Sequence, residues 1–458
     1  MGDTIAAVAT PMARGAIGIL RLSGPEAVRA ASAVFRPAGG RPLEAYEGRR
    51  LVYGTLYDRE GHPIDQALAT YTRGPGSYTG EDTAELQCHG SPAVLTLGLE
   101  ALFAQGVRQA GPGEFTRRAF LNGRLDLTQA EAVADLIDAE TSSAVRQAAG
   151  QLSGALGRRV GAVYDALTDL TAHFCAVLDY PDEDIDPFRA ETMEEALSAA
   201  QKELSALLAT YGRGRQLVQG VPCAIVGRPN AGKSSLLNAL VGYDRAIVTD
   251  IPGTTRDTIE EKCRMGGVLL RLIDTAGIRD TTDTVERLGV ERSRAALEGA
   301  GLALVLMDPH GGITGGDLAI LDQARSAAEK VIVVLTKSDL PGGEAPGLAL
   351  EGEDCPPVVS LSARTGAGLE QLEQAVAGLF PQGEENWGEL LTNARQAEAA
   401  GRALEAVASA RAALAAGMPA DAIFSDVEAA LDALGALTGR SVQEDVTDRI
   451  FSRFCVGK

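Results

Sequence analysis

Gly227-Arg228-Pro229-Asn230-Ala231-Gly232-Lys233-Ser234 fits the pattern G-x-x-x-x-G-K-[ST], and few short patterns restrict a chain so tightly. The pattern acts only as the turn between a strand and a helix. Val221-Pro222-Cys223-Ala224-Ile225-Val226 precedes it as a short apolar run with β-branched residues, which reads as a buried strand. Ser235-Leu236-Leu237-Asn238-Ala239-Leu240 continues after it at helical spacing. The glycines let backbone N–H groups turn toward phosphate oxygens, and the helix N-terminus adds partial positive charge. Lys233 is placed to reach the β- and γ-phosphates, and the Ser234 hydroxyl to sit on Mg²⁺. A chance match in a chain with 53 glycines is the alternative, and the rest of the sequence decides against it.

The partners that such a loop needs follow in order. Gly253-Thr254-Thr255-Arg256-Asp257 lies in a polar segment, and the Thr255 hydroxyl is the natural second Mg²⁺ ligand once a γ-phosphate is present. The strand Leu269–Ile273 delivers Asp274-Thr275-Ala276-Gly277, where Asp274 can hold a metal-bound water and the Gly277 N–H can meet the γ-phosphate. Leu302–Met307 and Val331–Leu335 read as further core strands, the second leading to Thr336-Lys337-Ser338-Asp339. A carboxylate at Asp339 can accept from guanine N1–H and its exocyclic amine, which selects guanine over adenine. Ser362-Ala363-Arg364 is expected to turn its backbone to guanine O6. Ile278 stands after Gly277, where Ras-like enzymes carry a water-orienting glutamine, so water must be held by other groups. The Asn230 carbonyl can either coordinate a monovalent cation beside the phosphates or brace its own loop.

Composition bounds the rest. The 458 residues allow roughly three domains by the usual size prior. Aromatics are only 4% of residues against 45% hydrophobic, so the cores must be aliphatic. No run is long and apolar enough to cross a membrane, and no basic segment precedes an apolar one at the N-terminus. Six cysteines without C-x-x-C pairing point to reduced thiols and a cytoplasmic setting. A formal charge of −20 argues against nonspecific nucleic-acid binding by the whole surface, leaving Arg117-Arg118 with Arg124, or Arg213 with Arg215, as local basic patches.

Along the chain, residues 1–119 alternate strand-like and helical pieces and are expected to form an α+β domain. The stretch 120–219 is helical, with Thr128 and Glu131 as the expected capping box of a helix over 127–137. Tyr211-Gly212-Arg213-Gly214-Arg215 reads as a polar boundary before a nucleotide domain at 220–380 of the α/β P-loop type, and 381–458 is helical again. One all-α domain made of both helical segments, with the nucleotide domain inserted, is the economical arrangement; two unrelated helical domains are the competing one.

Further segments carry a resemblance: Arg21-Leu22-Ser23-Gly24, Ser77-Tyr78-Thr79-Gly80-Glu81-Asp82, Pro112-Gly113-Glu114-Phe115, Ala119–Leu127 and Cys455-Val456-Gly457-Lys458. With the nucleotide set, they resemble the MnmE (TrmE) family of tRNA modification GTPases over essentially the whole chain. The resemblance implies a dimerising, folate-binding-like N-terminal domain. Arg21, Glu81, Arg124 and Lys458 match contacts to a 5-formyl-tetrahydrofolate-type one-carbon donor. Asn230, Thr254 and the backbone of Thr249 and Ile251 match a potassium site. Glu286, by itself an ordinary solvated helix residue, matches the glutamate that orients water. Nucleotide contacts are expected at Asn230, Ala231, Gly232, Lys233, Ser234 and Ser235, at Thr249, Asp250, Ile251, Pro252, Gly253, Thr254 and Thr255, and at Asp274, Thr275, Ala276 and Gly277. Thr336, Lys337, Asp339, Ser362, Ala363 and Arg364 complete that set. The implied setting is a homodimer that works with an FAD-dependent MnmG-type partner on the wobble uridine of certain tRNAs, away from membranes. Thr336 replaces a frequent Asn, and Arg124 stands where some relatives have Lys. Cys455 can be a reactive thiol or a small buried residue. A ribosome-assembly GTPase and a folate-sensing regulator are the competing functions.

Overall fold

The computed structural model describes residues 2–179, 189–243, 261–273, 297–341, 355–381, 387–441, 447, 450–452 and 454–458. The chain divides into two compact units, one of residues 1–134, 151–205 and 398–458, the other of residues 135–150 and 206–397.

The first unit is built on a seven-stranded sheet of β1 (Ile5–Val8), β2 (Gly15–Ser23), β3 (Phe35–Pro37), β4 (Val52–Tyr57), β5 (Pro63–Thr72), β6 (Thr83–Gly90) and β7 (Arg108–Gln109). Their spatial order is β3-β4-β5-β6-β2-β1-β7, antiparallel throughout except where β7 runs parallel to β1. The long strands alternate buried and half-exposed residues, which is the mark of an antiparallel sheet with one face in a core. That core packs Leu20, Leu22, Leu56 and Leu86 against α1 (Ala27–Val34) and α2 (Pro92–Phe103). On the other face, Phe115 of α3 (Glu114–Leu121) closes a small cluster with Ile5, Ala7 and Ala110.

The helix α4 (Leu127–Asp138) begins where expected, but its cap lies two residues earlier. Asp126, not Thr128, caps it: its carboxylate accepts the Gln129 N–H at 2.8 Å, and the Gln129 side chain accepts the Asp126 N–H at 2.9 Å. Thr128 is fully buried inside the first turn and donates to the same Asp126 oxygen. Further on, α6 (Ala155–Asp179) packs against the helix Ala420–Thr438, with Phe174 stacked on Phe424 at 3.8 Å. Arg411 of the helix Ala394–Ala415 pairs with Glu194 of α7 (Ala190–Ala209). Residues from both helical flanks thus share one unit.

The second unit carries a six-stranded sheet of β8 (Val221–Gly227), β9 (Glu261–Met265), β10 (Val268–Ile273), β11 (Leu302–Met307), β12 (Lys330–Leu335) and β13 (Val358–Ser360), ordered β13-β12-β11-β8-β10-β9. It is parallel except for β9, which hairpins onto β10. Its central strands are continuous apolar runs because both faces are covered. α9 (Lys233–Tyr243) and the helix Leu369–Leu379 cover one face, and the helix Gly315–Ala327 the other. In the chain, β9 and β10 follow β8 on one side and β11 to β13 extend the other, so the strand order reverses at β8, where open α/β sheets place their crevice.

Tyr211-Gly212-Arg213-Gly214-Arg215 is no boundary loop. It forms the start of α8 (Tyr211–Gln219). Gly214 is buried there because a Cβ would collide with the Leu391 carbonyl oxygen, so tertiary packing chose glycine inside a helix. No described helix is long and apolar enough to cross a membrane.

Candidate functional site

At the C-terminal end of β8 the chain turns through Gly227 and Asn230 into α9. Asn230 has φ +63° and Gly232 φ +94°, the left-handed backbone that opens a loop toward its concave side. Lys233 folds back, its Nζ donating to the carbonyls of Gly227 at 2.7 Å and Arg228 at 2.9 Å. Burial pushes its ammonium below the ordinary lysine range, so an anion in the loop would relieve that cost. Arg228 leaves the loop outward and donates to Thr314 Oγ1 at 3.0 Å and Asp317 Oδ2 at 3.3 Å, the capping box of the helix Gly315–Ala327.

The segment after β12 is bolted to this loop. Thr336, 4% exposed, donates its hydroxyl to the Ala231 carbonyl at 2.9 Å and lies 3.2 Å from the Met307 carbonyl. The Thr336 hydroxyl thereby braces the loop through the Ala231 carbonyl. Lys337 takes φ +60° and pairs with Asp308 at 2.5 Å. Asp339 accepts from the Ser362 hydroxyl at 2.7 Å, and Arg364 reaches its other oxygen at 3.1 Å. The Ser362 hydroxyl chiefly holds the Asp339 carboxyl below the usual carboxylate range, so it stays an acceptor. Ser362 itself is buried and accepts the Thr365 N–H. The C-terminal end of the sheet's strands thus gathers Lys233, Ser234, Thr336, Asp339 and Ser362, an arrangement able to hold an anion on one side and a donor-rich ring edge on the other. Thr249 to Thr255, Asp274 to Gly277, Ile278 and Glu286 lie outside the described residues.

A second cluster sits on the sheet of the first unit. Arg21 on β2 stands opposite Glu85 on β6, and Arg21 Nε donates to Glu85 Oε1 at 2.8 Å. Its guanidinium lies 5.9 Å from the Phe115 ring centre, and Nη1 donates to the Gly457 carbonyl at 3.3 Å. The last residues come to Arg21 as a short added edge. Val456 bridges to Pro112, Gly113 N–H donates to the Cys455 carbonyl, and Phe115 N–H donates to the Lys458 carbonyl at 3.1 Å. Gly457 has φ +100°, and a side chain there would run into the Val8 carbonyl. Cys455 is exposed, which removes its reading as a small buried residue. The loop of Ser77 to Asp82 folds over the same end. The Arg124 stem lies against Gly80, where a Cβ would come within 3.3 Å of Arg124 Cγ. Tyr78 keeps a 43% exposed side while its hydroxyl meets Thr116 Oγ1 at 3.0 Å.

Arg118, taken from the sequence as part of a basic surface, is only 11% exposed at its side chain. It faces Asp3, Glu81 and Glu114 instead of solvent, so that patch is not open to RNA through Arg118. Sequence reading gave no role to Glu85 or to the paired hydroxyls of Ser23 and Thr79, 2.7 Å apart, and only a surface role to Arg118. A Glu at the strand position facing Arg21 was the one available signal. Among the described residues no group of three His, Cys, Asp or Glu side chains forms a metal cluster.

Comparison with known proteins places these features. A family model described as the MnmE helical domain matches residues 127–455, and one described as the GTP-binding protein TrmE N-terminus matches residues 4–124. The tRNA modification GTPase MnmE of Clostridioides difficile (strain 630) is 41% identical over 458 residues, covering 100% of this chain and 99% of that protein. The protein of the same description from Symbiobacterium thermophilum is 46% identical over 462 residues, with 100% and 99% covered. That from Chloroflexus aurantiacus is 45% identical over 464 residues, with both covered at 100%.

Proposed function

Since the chain belongs to the family of tRNA modification GTPases MnmE, we propose that its GTP hydrolysis serves the addition of a carboxymethylaminomethyl-type group at carbon 5 of the wobble uridine of certain tRNAs. An MnmG-type flavoprotein supplies the FAD, and the two work as a homodimer of this chain joined by its partner, in the cytoplasm. The observation that carries the nucleotide half is the joining of the phosphate loop to the base-reading segment through Thr336 and Ala231. Lys233 and the loop N–H groups take the β- and γ-phosphates, and Asp339 takes the guanine edge. Ser234 and Thr255 hold Mg²⁺. Asn230, with Thr249, Ile251 and Thr254, holds potassium. The left-handed turn at Asn230 in the phosphate loop and the neutral carbonyl of its side chain are compatible with a monovalent ion. Such ions neutralise charge that develops on the transferred phosphoryl group. Glu286 orients the attacking water in place of the missing glutamine.

In the first unit, Arg21, Glu81, Arg124 and Lys458 take a 5-formyl-tetrahydrofolate-type donor. What supports this reading is the convergence of Arg21, the Gly80–Glu81 loop and the terminal residues on one end of the sheet. The test is mass analysis of wobble uridines in a deletion strain carrying either the natural chain or Asp339→Asn. Loss of the modified uridine in the deletion, with rescue only by the natural chain, is expected. An unaltered uridine spectrum in the deletion would overturn the modification role and favour a scaffold or timer GTPase.

A further inference from the structure

The first unit holds a charge network that meets the residues of the folate reading only at Glu81. Arg118 is anchored on three sides: Nη1 donates to the Asp3 carbonyl at 2.8 Å, and Nη2 to Asp3 Oδ1 at 2.7 Å and Glu114 Oε1 at 3.0 Å. Arg108 braces the same two acids from outside, donating to Asp3 Oδ2 at 2.6 Å and Glu114 Oε1 at 2.6 Å. What Arg118 has left is aimed at Glu81, with Nη1 3.1 Å from Oε2 and 3.3 Å from Oε1. Ser23 Oγ donates to Glu81 Oε2 at 2.7 Å, and Ser77 donates to the Glu81 carbonyl. Since Ser23 gives its proton to Glu81, Thr79 must supply the hydrogen in the 2.7 Å Ser23–Thr79 contact.

The Glu81 carboxylate is therefore held by Arg118 and Ser23, and Oε1, carrying only the 3.3 Å contact from Arg118, keeps lone pairs to spare; the side chain is 20% exposed. We propose that Arg118 is the positioning residue of this site: it fixes the Glu81 carboxylate in place, so that its remaining lone pairs meet the paired N–H donors of a 2-amino-4-oxo ring. Arg118 touches no ligand and acts only through Glu81. This inference rests on the folate reading above. An arginine is required because its fork reaches four acceptor groups at once, the Asp3 carbonyl and the Asp3, Glu114 and Glu81 carboxylates, whereas a lysine offers a single point charge. Without it, the Glu81 carboxylate keeps the Ser23 hydroxyl alone and lies near two acids held only by Arg108.

The test is equilibrium binding of 5-formyl-tetrahydrofolate to the full chain, with urea unfolding on the same samples to monitor folding. Glu81→Gln is expected to weaken binding by about tenfold or more, and Arg118→Gln by a similar factor, since each removes a charge-assisted pair. In the Glu81→Gln background, Arg118→Gln should add less than about twofold, because residues acting through one contact are non-additive. Arg118→Lys should recover part of the affinity. Arg108→Gln, which loosens Asp3 and Glu114 without touching Glu81, should leave binding within about threefold even where it lowers stability. If Arg118→Gln weakens binding as much without Glu81 as with it, or Arg108→Gln weakens it equally, Arg118 is structural and the proposal falls. If Glu81→Gln weakens binding and Arg118→Gln does not, the positioning role alone is wrong. If the natural chain fails to bind, the folate reading fails and takes this inference with it.

Discussion

Thr336→Val removes a hydroxyl and leaves the volume unchanged, so it isolates the bond between the phosphate loop and the base-reading segment. The hydroxyl carries one proton, shared between the Ala231 carbonyl at 2.9 Å and the Met307 carbonyl at 3.2 Å. Met307 O also accepts the Thr336 N–H at 2.9 Å and keeps that partner, so the loss falls on Ala231. Depriving a buried carbonyl of its donor costs about 1–3 kcal/mol. In an equilibrium constant that is about 5- to 150-fold. Because Ala231 lies in the loop that would hold the phosphates, part of the loss should appear as weaker binding of a fluorescent GDP analogue. The remainder should appear as a lower urea midpoint. Thr336→Ser, which keeps the hydroxyl, should recover most of both. Natural affinity and a natural midpoint in Thr336→Val would refute the bracing role.

Gly212→Ala, in open space on α8, should stabilise by about 0.5–1 kcal/mol, while Gly214→Ala, facing the Leu391 carbonyl, should destabilise by about 1–3 kcal/mol; equal urea midpoints would sink the packing argument. Asp126→Ala should cost about 1–2 kcal/mol through loss of the α4 cap, and an unchanged midpoint would return the cap to Thr128. Burial raises the Glu114 carboxyl, but Arg108, the Gly111 N–H and Arg118 outweigh it and hold the group at about 2, against 4.5 unperturbed. A depressed acid stabilises the fold above its unfolded pKa, so this contribution, at most about 3 kcal/mol, is complete above pH 4.5 and fades as pH falls toward 2. Glu114→Gln should flatten stability between pH 4.5 and 3 relative to the natural chain, and parallel curves would count against it. GTP turnover should be much faster in potassium than in sodium, and Asn230→Ala should erase the difference; equal rates in the natural chain would remove the cation site.

The nucleotide unit was legible because its parallel strands are unbroken apolar runs that end in residues of special chemistry, as Leu335 gives way to Thr336 and Val226 to Gly227. The antiparallel sheet was legible in its long strands, where alternation survives over β5 and β6. What escaped depended on distant partners. Arg118 looked like half of a surface pair, and only Asp3, 115 residues away in the chain, makes it a buried hub. Glycines at 212 and 214 read as a break, yet the Leu391 carbonyl demands one of them within a helix. Thr128 and Glu131 mimicked a capping box, but Asp126 and Gln129 made the reciprocal bonds first.

The seam between Arg21 and Gly457 joins residues 436 positions apart. At ribosomal speeds, roughly twenty to ninety seconds of synthesis separate the emergence of the two. During that interval the nascent sheet carries an open edge at Pro112 and an arginine lacking its final acceptor. That sheet waits for the Gly457 segment to be finished, and premature termination anywhere between leaves Arg21 without the Gly457 carbonyl.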